Sequence, residues 1–384
     1  MNAAIDKYFH VSERGSTIGT EVRAGVVSFF AMAYIILLNP LILGTSPDSA
    51  GRTLGIPQVA AATALVAGVM TIAFGAIAKY PFAMAAGLGM NTFVAVTMVS
   101  VKGLEWRDAM GLVLIEGIII VLLAISGFRQ AVFDAIPASM KAAMGVGIGM
   151  FIAIIGFVDG HFVTRIPDAA NTTVPVALGI NGSIATWPAF VFVIGLFLCA
   201  FFVIRGTRGG LFLGIVITTV IAMIIQALTG SKDWGMATPE MPSSLGGLPD
   251  LSIVGEVSVV GAFAKLGVVA TVLLIFTLLL TNFFDAMGTM NGLGKQAGLT
   301  DEDGVLPNMK TALVVEGMGA VAGGAGSVSS NTVFADSAAG IGDGAKTGLA
   351  NITTGVIFLL AMFLTPLYEI VPIEAAAPVL VIVG

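Results

Sequence analysis

Residues 323–340 read GGAGSVSSNTVFADSAAG. Apolar sequence flanks the segment, yet Gly and Ser crowd it and Asp336 sits within it. It makes a poor continuous lipid-facing helix. Irregular backbone at membrane depth is tolerated only where protein or a water-filled cavity covers it. A second segment, PFAMAAGLGMNTF at 81–93, has the same character: it opens on Pro81 and carries Gly87, Gly89 and Asn91 among apolar residues.

The rest of the 384-residue chain puts these two segments in a membrane. It is 57% hydrophobic and only 10% charged, with a mean hydropathy of +1.00. A soluble domain carries about 25% charged residues. The apolar runs do not alternate as the strands of a membrane barrel would, and each suits a helix of about 20 residues across the hydrocarbon core. The spacing predicts spans at 21–43, 57–78, 83–100, 108–126, 138–158, 187–204, 209–229, 264–290, 309–325, 327–341 and 347–366, with a twelfth starting near 375. The final stretch, AAAPVLVIVG, stops without a polar anchor and reads as a span cut short. Polar connections at 159–186 and 230–262 read as loops, and the sequons at Asn171, Asn181 and Asn351 read as chance matches. No basic tail suggests a nucleic-acid partner. One cysteine, Cys199, and two histidines make neither a disulfide nor a metal site.

Alternating the spans from an inner N-terminus places eleven cations inside: Lys7, Arg14, Arg23, Lys79, Arg129, Lys141, Arg205, Arg208, Lys295, Lys310 and Lys346. Six fall outside: Arg52, Lys102, Arg107, Arg165, Lys232 and Lys265. The excess predicts a multi-pass protein of the cell membrane with a cytoplasmic N-terminus.

Three short matches suggest an internal repeat. LLN at 37–39 matches LTN at 280–282, GAIA at 75–78 matches GAVA at 319–322, and NTF at 91–93 pairs with NTVF at 331–334. An odd number of spans separates the copies, so the second is inverted in the membrane. Inverted repeats with interrupted helices in matching places are a transporter design, with the substrate site at the interruptions. The implied organisation is a cytoplasmic N-terminus at 1–20, a first repeat at 21–229 holding spans one to seven, an extracytoplasmic loop at 230–262 and a second repeat at 263–384 from span eight onward.

Charges inside the spans then stand out. Asp285, in TNFFDAMGT, is the only charge between Lys265 and Lys295, and Asp336 is the only one between Glu316 and Asp343. An intramembrane carboxylate costs about 2.5–3.5 kcal/mol on insertion scales and by default marks a functional site. The structural alternatives are that Asp285 ties Asn282 or a backbone amide, and that Asp336 caps the half-helix after it. Asn91 offers donors and an acceptor to a planar heterocycle; its alternative is a helix-to-helix hydrogen bond. Phe334 and Phe284 can stack on a ring or simply pack. Glu116 lies eight residues from Asp108, about 12 Å deep at 1.5 Å per residue, and is read as structural or proton-coupling. Glu316 is read as structural, and Asp301, Glu302 and Asp303 as a solvated loop. GAVAGGAGSV lacks the lysine of a phosphate loop.

AMAYIILLNP, GLGMNTFVA, TNFFDAMGT, GLTDEDGVLPNMKTAL and SSNTVFADSAAGIGDGAKTGL, in this order, resemble the purine branch of the nucleobase–cation symporters, the hypoxanthine/guanine/adenine permeases of the xanthine/uracil permease superfamily. The resemblance runs from about residue 20 to the end. It implies an all-α polytopic fold of two inverted seven-span repeats, fourteen spans in the full protein and about 11–12 here, with short strands and half-helices in spans three and ten. It implies a core domain, a gate domain that often mediates dimers, and proton-coupled uptake of a purine base, with the proton as coupling ion, no other cofactor and no enzyme activity. The base-binding residues carried over are Asp285, Asp336, Asn91, Phe334 and Ala335, and the proton-coupling candidates are Asp285, Asp336 and Glu116. One departure stands out: the branch usually has glutamate where this chain has Asp336. Two other readings compete. An anion transporter of the same fold would line its site with half-helix N-termini and cations, and Asp336 opposes it. An intramembrane aspartyl protease would use the GIGD at 340–343, but Phe284 rather than Tyr precedes Asp285.

Overall fold

The computed structural model describes residues 2–128, 137–165, 176–180, 182–231, 234, 238–239, 241, 244–301, 306–368 and 370–384. Arg129, Lys232, Asn171, Asn181, Glu302 and Asp303 lie outside these residues. The elements in chain order are α1 (Asn2–Phe9), α2 (Ile18–Met32), α3 (Ile35–Leu43), α4 (Ile56–Ile77), β1 (Met84–Ala86), α5 (Leu88–Thr92, running on as wider π-turns over Phe93–Val101) and α6 (Trp106–Ser126). Next come α7 (Ala138–Asp159), β2 (Val163–Arg165), β3 (Val176–Leu178), α8 (Trp187–Ile204) and α9 (Gly210–Thr229). The rest is α10 (Gly261–Ala297), α11 (Met309–Ala325), β4 (Asn331–Val333), α12 (Ser337–Gly342), α13 (Gly348–Ala361) and α14 (Ile373–Val383). Among the described residues, six helices are long and apolar enough to cross a membrane, and four shorter apolar ones accompany them.

The elements follow the sequence signals with three differences. The first span is not one helix: α2 ends at Met32 and α3 begins at Ile35, joined by a tight turn in which Ile36 N donates to Ala33 O and Leu37 N to Tyr34 O. The loop at 159–186 contains a small antiparallel hairpin, β2 with β3. The eighth span is longer than 264–290 and bends at Gly267, whose φ of 77° breaks the helical path. Threonine hydroxyls cap α2, α8 and α13 from Thr17, Thr186 and Thr347, as the free first-turn amides require.

The chain forms two compact units that cut across the two repeats. One is built from Met1–Gly145 and Leu248–Thr365, the other from Val146–Gly247 and Pro366–Gly384. In the first unit the helix pairings repeat themselves between the two halves of the chain. Helix α13 packs on α4 and α2; α6 packs on α11 and α10. In span numbers, eleven meets two and one, and four meets nine and eight. Exchanging each span for the one seven places away in the other half turns the first set into the second, so the inverted repeat is present in the packing. Both contacts are tight. A Cβ at Gly117 of α6 would lie 2.5 Å from Val321 N of α11, and one at Gly324 of α11 would lie 2.6 Å from Leu114 N of α6. In the other pair a Cβ at Gly68 of α4 would lie 2.9 Å from Gly355 O of α13. Small residues let helix backbones approach where lipid supplies no hydrophobic drive.

Charges group at the ends as the alternation of spans requires. Glu105 receives Lys265 Nζ at 2.8 Å, Arg107 Nε at 2.9 Å and Arg52 Nη2 at 3.0 Å, all three from connections assigned to one side. Arg14, assigned to the other side, donates to Lys79 O and Lys346 O, and Arg23 pairs with Asp343 at 2.7 Å.

Two outcomes follow. Gly324→Leu should lower the denaturation temperature in detergent or abolish folding, since overpacking costs about 1–3 kcal/mol. Gly288→Ala, where nothing lies within 4 Å of the added carbon, should leave it unchanged or raised. The hydrogen bond from Lys265, with Arg107 and Arg52, holds the Glu105 carboxyl below its ordinary range. Its contribution is therefore full above about pH 4.3, the ordinary glutamate value, and is lost as pH falls through the depressed folded value. Thermal melts should show a smaller acid loss in Glu105→Gln than in the native chain, the remainder coming from carboxylates such as Asp48 that are also held low; an equal loss in the two would contradict the assignment.

Candidate functional site

Two broken spans meet within the first unit. β1 and β4 pair antiparallel, Met84 with Val333, Ala85 with Thr332 and Ala86 with Asn331. The ladder extends one bond each way: Gly87 N donates to Ser330 O at 3.0 Å, and Phe334 N to Ala83 O at 2.9 Å. All six strand residues are buried. Side chains of the neighbouring helices secure both strands. Thr71 of α4 bonds both Met84 N and Met84 O, and Thr332 donates to Glu316 of α11 at 3.1 Å. A half-helix starts beyond each strand, from Gly87 at the head of α5 and from Asp336 at the head of α12.

This geometry corrects the third repeat match. The strands are equivalent at 84–86 and 331–333, so Asn331 belongs to β4 whereas Asn91 lies inside α5. Strand register sets the correspondence, and a shared Asn-Thr pair does not. The positions that do correspond are the two half-helix heads.

Asp285 faces the first of these heads. A Cβ placed on Gly87 would be 3.9 Å from Asp285 Oδ2 and 3.3 Å from the Thr332 methyl. The place of that Cβ is taken by the Met90 methyl, and the Asp285 carboxylate stands beside the start of the helix running Leu88–Val101, whose positive end favours it. Asp285 is exposed, and the face it occupies opens along α10. Before the middle of α10 the exposed large apolar residues are Val268, Val269, Val272, Leu273 and Phe276. After it they include Asp285, Gly288 and Gly292. Nine residues separate Phe276 from Asp285, about two and a half turns, so the uncovered side switches by about 180°. The apolar half faces outward as a lipid surface would, and the other half presents a carboxylate flanked by glycines. Among the described residues Asp285 has no hydrogen bond or ion pair, so it does not tie Asn282.

Asp336 occupies the second head, half-buried, with exposed Ala335 before it. It does not cap α12 through its side chain. Its Oδ2 instead accepts the Tyr34 hydroxyl at 2.7 Å. Tyr34 lies in the turn between α2 and α3 and is 1% exposed. Its ring stands 6.1 Å from that of Phe334 at 50°, so Phe334 is held by an aromatic neighbour. Phe284 packs edge-on to Phe283.

Asn91 and Glu116 are not on the open side. Both are fully buried. Asn91 Nδ2 donates to Asn39 Oδ1 at 2.7 Å, and Asn39 Nδ2 reaches Thr63 and Val328 O. Asn282 Nδ2 donates to Glu116 Oε1 at 2.8 Å and to Ser330 Oγ at 2.9 Å. The repeat-related Asn39 and Asn282 thus each tie the residues leading into β4 to another helix. Asn91 supports the site through Asn39; Glu116 sits behind Asp285, joined to its helix one turn away. Glu316 is buried against β4, in the structural place expected of it. Sequence reasoning missed Tyr34, although AMAYIILLNP was among the motifs that carried the resemblance. A tyrosine in an apolar run is no signal by itself; only the tertiary contact reveals it.

The model of the xanthine/uracil permease family, described as a permease family, matches residues 19–384. A guanine/hypoxanthine permease of Bacillus subtilis is 33% identical over 384 residues, covering 98% of this chain and 82% of that protein. An adenine permease of Escherichia coli is 33% identical over 380 residues, covering 99% and 79%. Among solved structures, the transmembrane domain of a cyanobacterium bicarbonate transporter superposes with a TM-score of 0.67 at 14% identity, covering 94% of this chain and 86% of that one. That likeness is one of fold alone.

Asn282→Ala removes the donor that serves both Glu116 and Ser330. It should destabilise the protein by about 1–3 kcal/mol, read as a lower denaturation temperature in detergent. An unchanged temperature would mean that these bonds do not anchor the strand.

Proposed function

Because the chain belongs to the xanthine/uracil permease family, we propose that it imports purine nucleobases by symport with protons, the base binding between the two half-helix heads. The observation that carries this is the placement of two carboxylates, Asp285 and Asp336, one at each head of the paired breaks. Carboxylates accept N–H donors, and a purine ring edge offers them. Asp285 and Asp336 take ring and amino N–H groups. Phe334 presents its ring to the base, and the backbone at Ala335 lines the opening. Asn91 acts from behind, holding α5 to α3 through Asn39.

The proton fits the same chemistry. Two charged carboxylates are costly to carry through a membrane-embedded protein. A proton arriving with the neutral base reduces that charge, and the loaded site then moves against the rest of the protein at lower cost. Asp285, Asp336 and, behind them, Glu116 are the groups available to carry it. The same carboxylates disfavour an anion as cargo, since they occupy the helix heads that would attract one. The protease reading loses its second aspartate: Asp343 of GIGD pairs with Arg23.

The test is uptake of labelled adenine, guanine, hypoxanthine, xanthine and uracil by cells lacking their own permeases, with and without a protonophore. At least one purine should accumulate, and the protonophore should abolish accumulation. Uptake of none would sink the reading. Asp285→Asn and Asp336→Asn should each reduce uptake about 10–100-fold, the loss of a hydrogen bond to a charged acceptor. If Asp285→Asn still concentrates base against a gradient, Asp285 is not the proton carrier.

A further inference from the structure

Tyr34 is buried at 1% exposure, too deep to line the opening, yet its hydroxyl is committed to Asp336 Oδ2 at 2.7 Å. That is the distance of a charge-assisted O–H···O bond. It is the one hydrogen bond from another residue to this carboxylate among the described residues. The position of Tyr34 is fixed from two sides. The turn between α2 and α3 sets its backbone, and the Phe334 ring neighbours its own. A carboxylate with both oxygens uncommitted takes two adjacent donors as a fork. One whose Oδ2 is already engaged offers Oδ1 as its ready acceptor.

We infer that Tyr34 is a positioning residue that makes Asp336 a single-oxygen acceptor, and that the site is thereby set for a purine edge with one N–H at that point. This rests on the purine reading above. Hypoxanthine has a lone ring N–H on that edge. Guanine has the same N–H beside an amino group, and its second donor must compete with the Tyr34 hydroxyl. The 2-amino group therefore gains nothing here, and selectivity between the two bases is controlled by a residue that touches neither.

The experiment measures KM and maximal rate for hypoxanthine and guanine in full-chain wild type and Tyr34→Phe. Phenylalanine keeps the ring against Phe334 and removes only the hydroxyl. The wild type should bind guanine no more tightly than hypoxanthine. Tyr34→Phe should lower the guanine KM relative to that of hypoxanthine by about tenfold, one hydrogen bond to a charged acceptor, with similar maximal rates. A purely structural tyrosine would move both KM values together, and an unchanged ratio overturns the inference. Should Tyr34→Phe fail to fold, the wild type alone decides: a guanine KM tenfold below that of hypoxanthine overturns it, and equal or weaker guanine binding supports it. Wild-type uptake of no purine sinks the purine reading and this inference with it; purine uptake with an unmoved ratio sinks the inference alone.

Discussion

The pairing of β1 with β4 is the constraint on which the rest of the first unit depends. Each span is interrupted by three extended residues, and extended backbone cannot satisfy its own amides and carbonyls. Inside a membrane each such group left unpaired costs several kcal/mol. Here the two interruptions satisfy each other through the ladder from Ala83–Phe334 to Gly87–Ser330. The surrounding helices must then close over a short two-stranded ribbon without room for bulky contacts. The glycines of α4, α6, α11 and α13 supply that close approach, and Thr71, Glu316, Asn39 and Asn282 hold the polar edges of the ribbon and its approaches.

The ribbon also explains where the chemistry sits. Ending a strand at Ala86 and at Val333 and starting a helix shortly after brings two helix heads to the same region. A negative group beside such a head is favoured. One head carries its own aspartate, Asp336. The other carries a glycine, Gly87, and receives its aspartate from α10. The two sides of the site are therefore built differently from related parts. One carboxylate belongs to the break and is fixed by Tyr34, and the other comes to the head from a neighbouring helix.

Much of this was legible in the sequence, for identifiable reasons. Gly, Ser and Asp336 marked one break, and Pro81, Gly87, Gly89 and Asn91 the other, because such residues are disfavoured in a lipid-facing helix. Asp285 and Asp336 stood out by their cost. The spans at 309–325 and 187–204 emerged as read, since length and hydropathy alone define them. The register of the breaks was not legible. It depends on which residues pair across the repeats, and the Asn-Thr coincidence at 91 and 331 pointed to the wrong offset. Nor was the direction of Asn91, because an amide in a break suits a ligand or another helix equally well until its partner, Asn39, is placed. Tyr34 was hidden for the same reason.

The repeats do not form separate units, and the ribbon shows why. β1 belongs to the first repeat and β4 to the second. Separated, each would present an unpaired strand edge at membrane depth. The helix contacts carry the same logic: α4 and α6 of the first repeat pack on α13 and α11 of the second. A boundary at the connection between repeats would cut all of these contacts together. The compact unit is accordingly assembled from the opening spans of both repeats, Met1–Gly145 with Leu248–Thr365, and Val146–Gly247 with Pro366–Gly384 form the other unit. The inverted repeat thus supplies two copies of a broken span in opposite orientation, and antiparallel pairing is the way two such copies can complete one another.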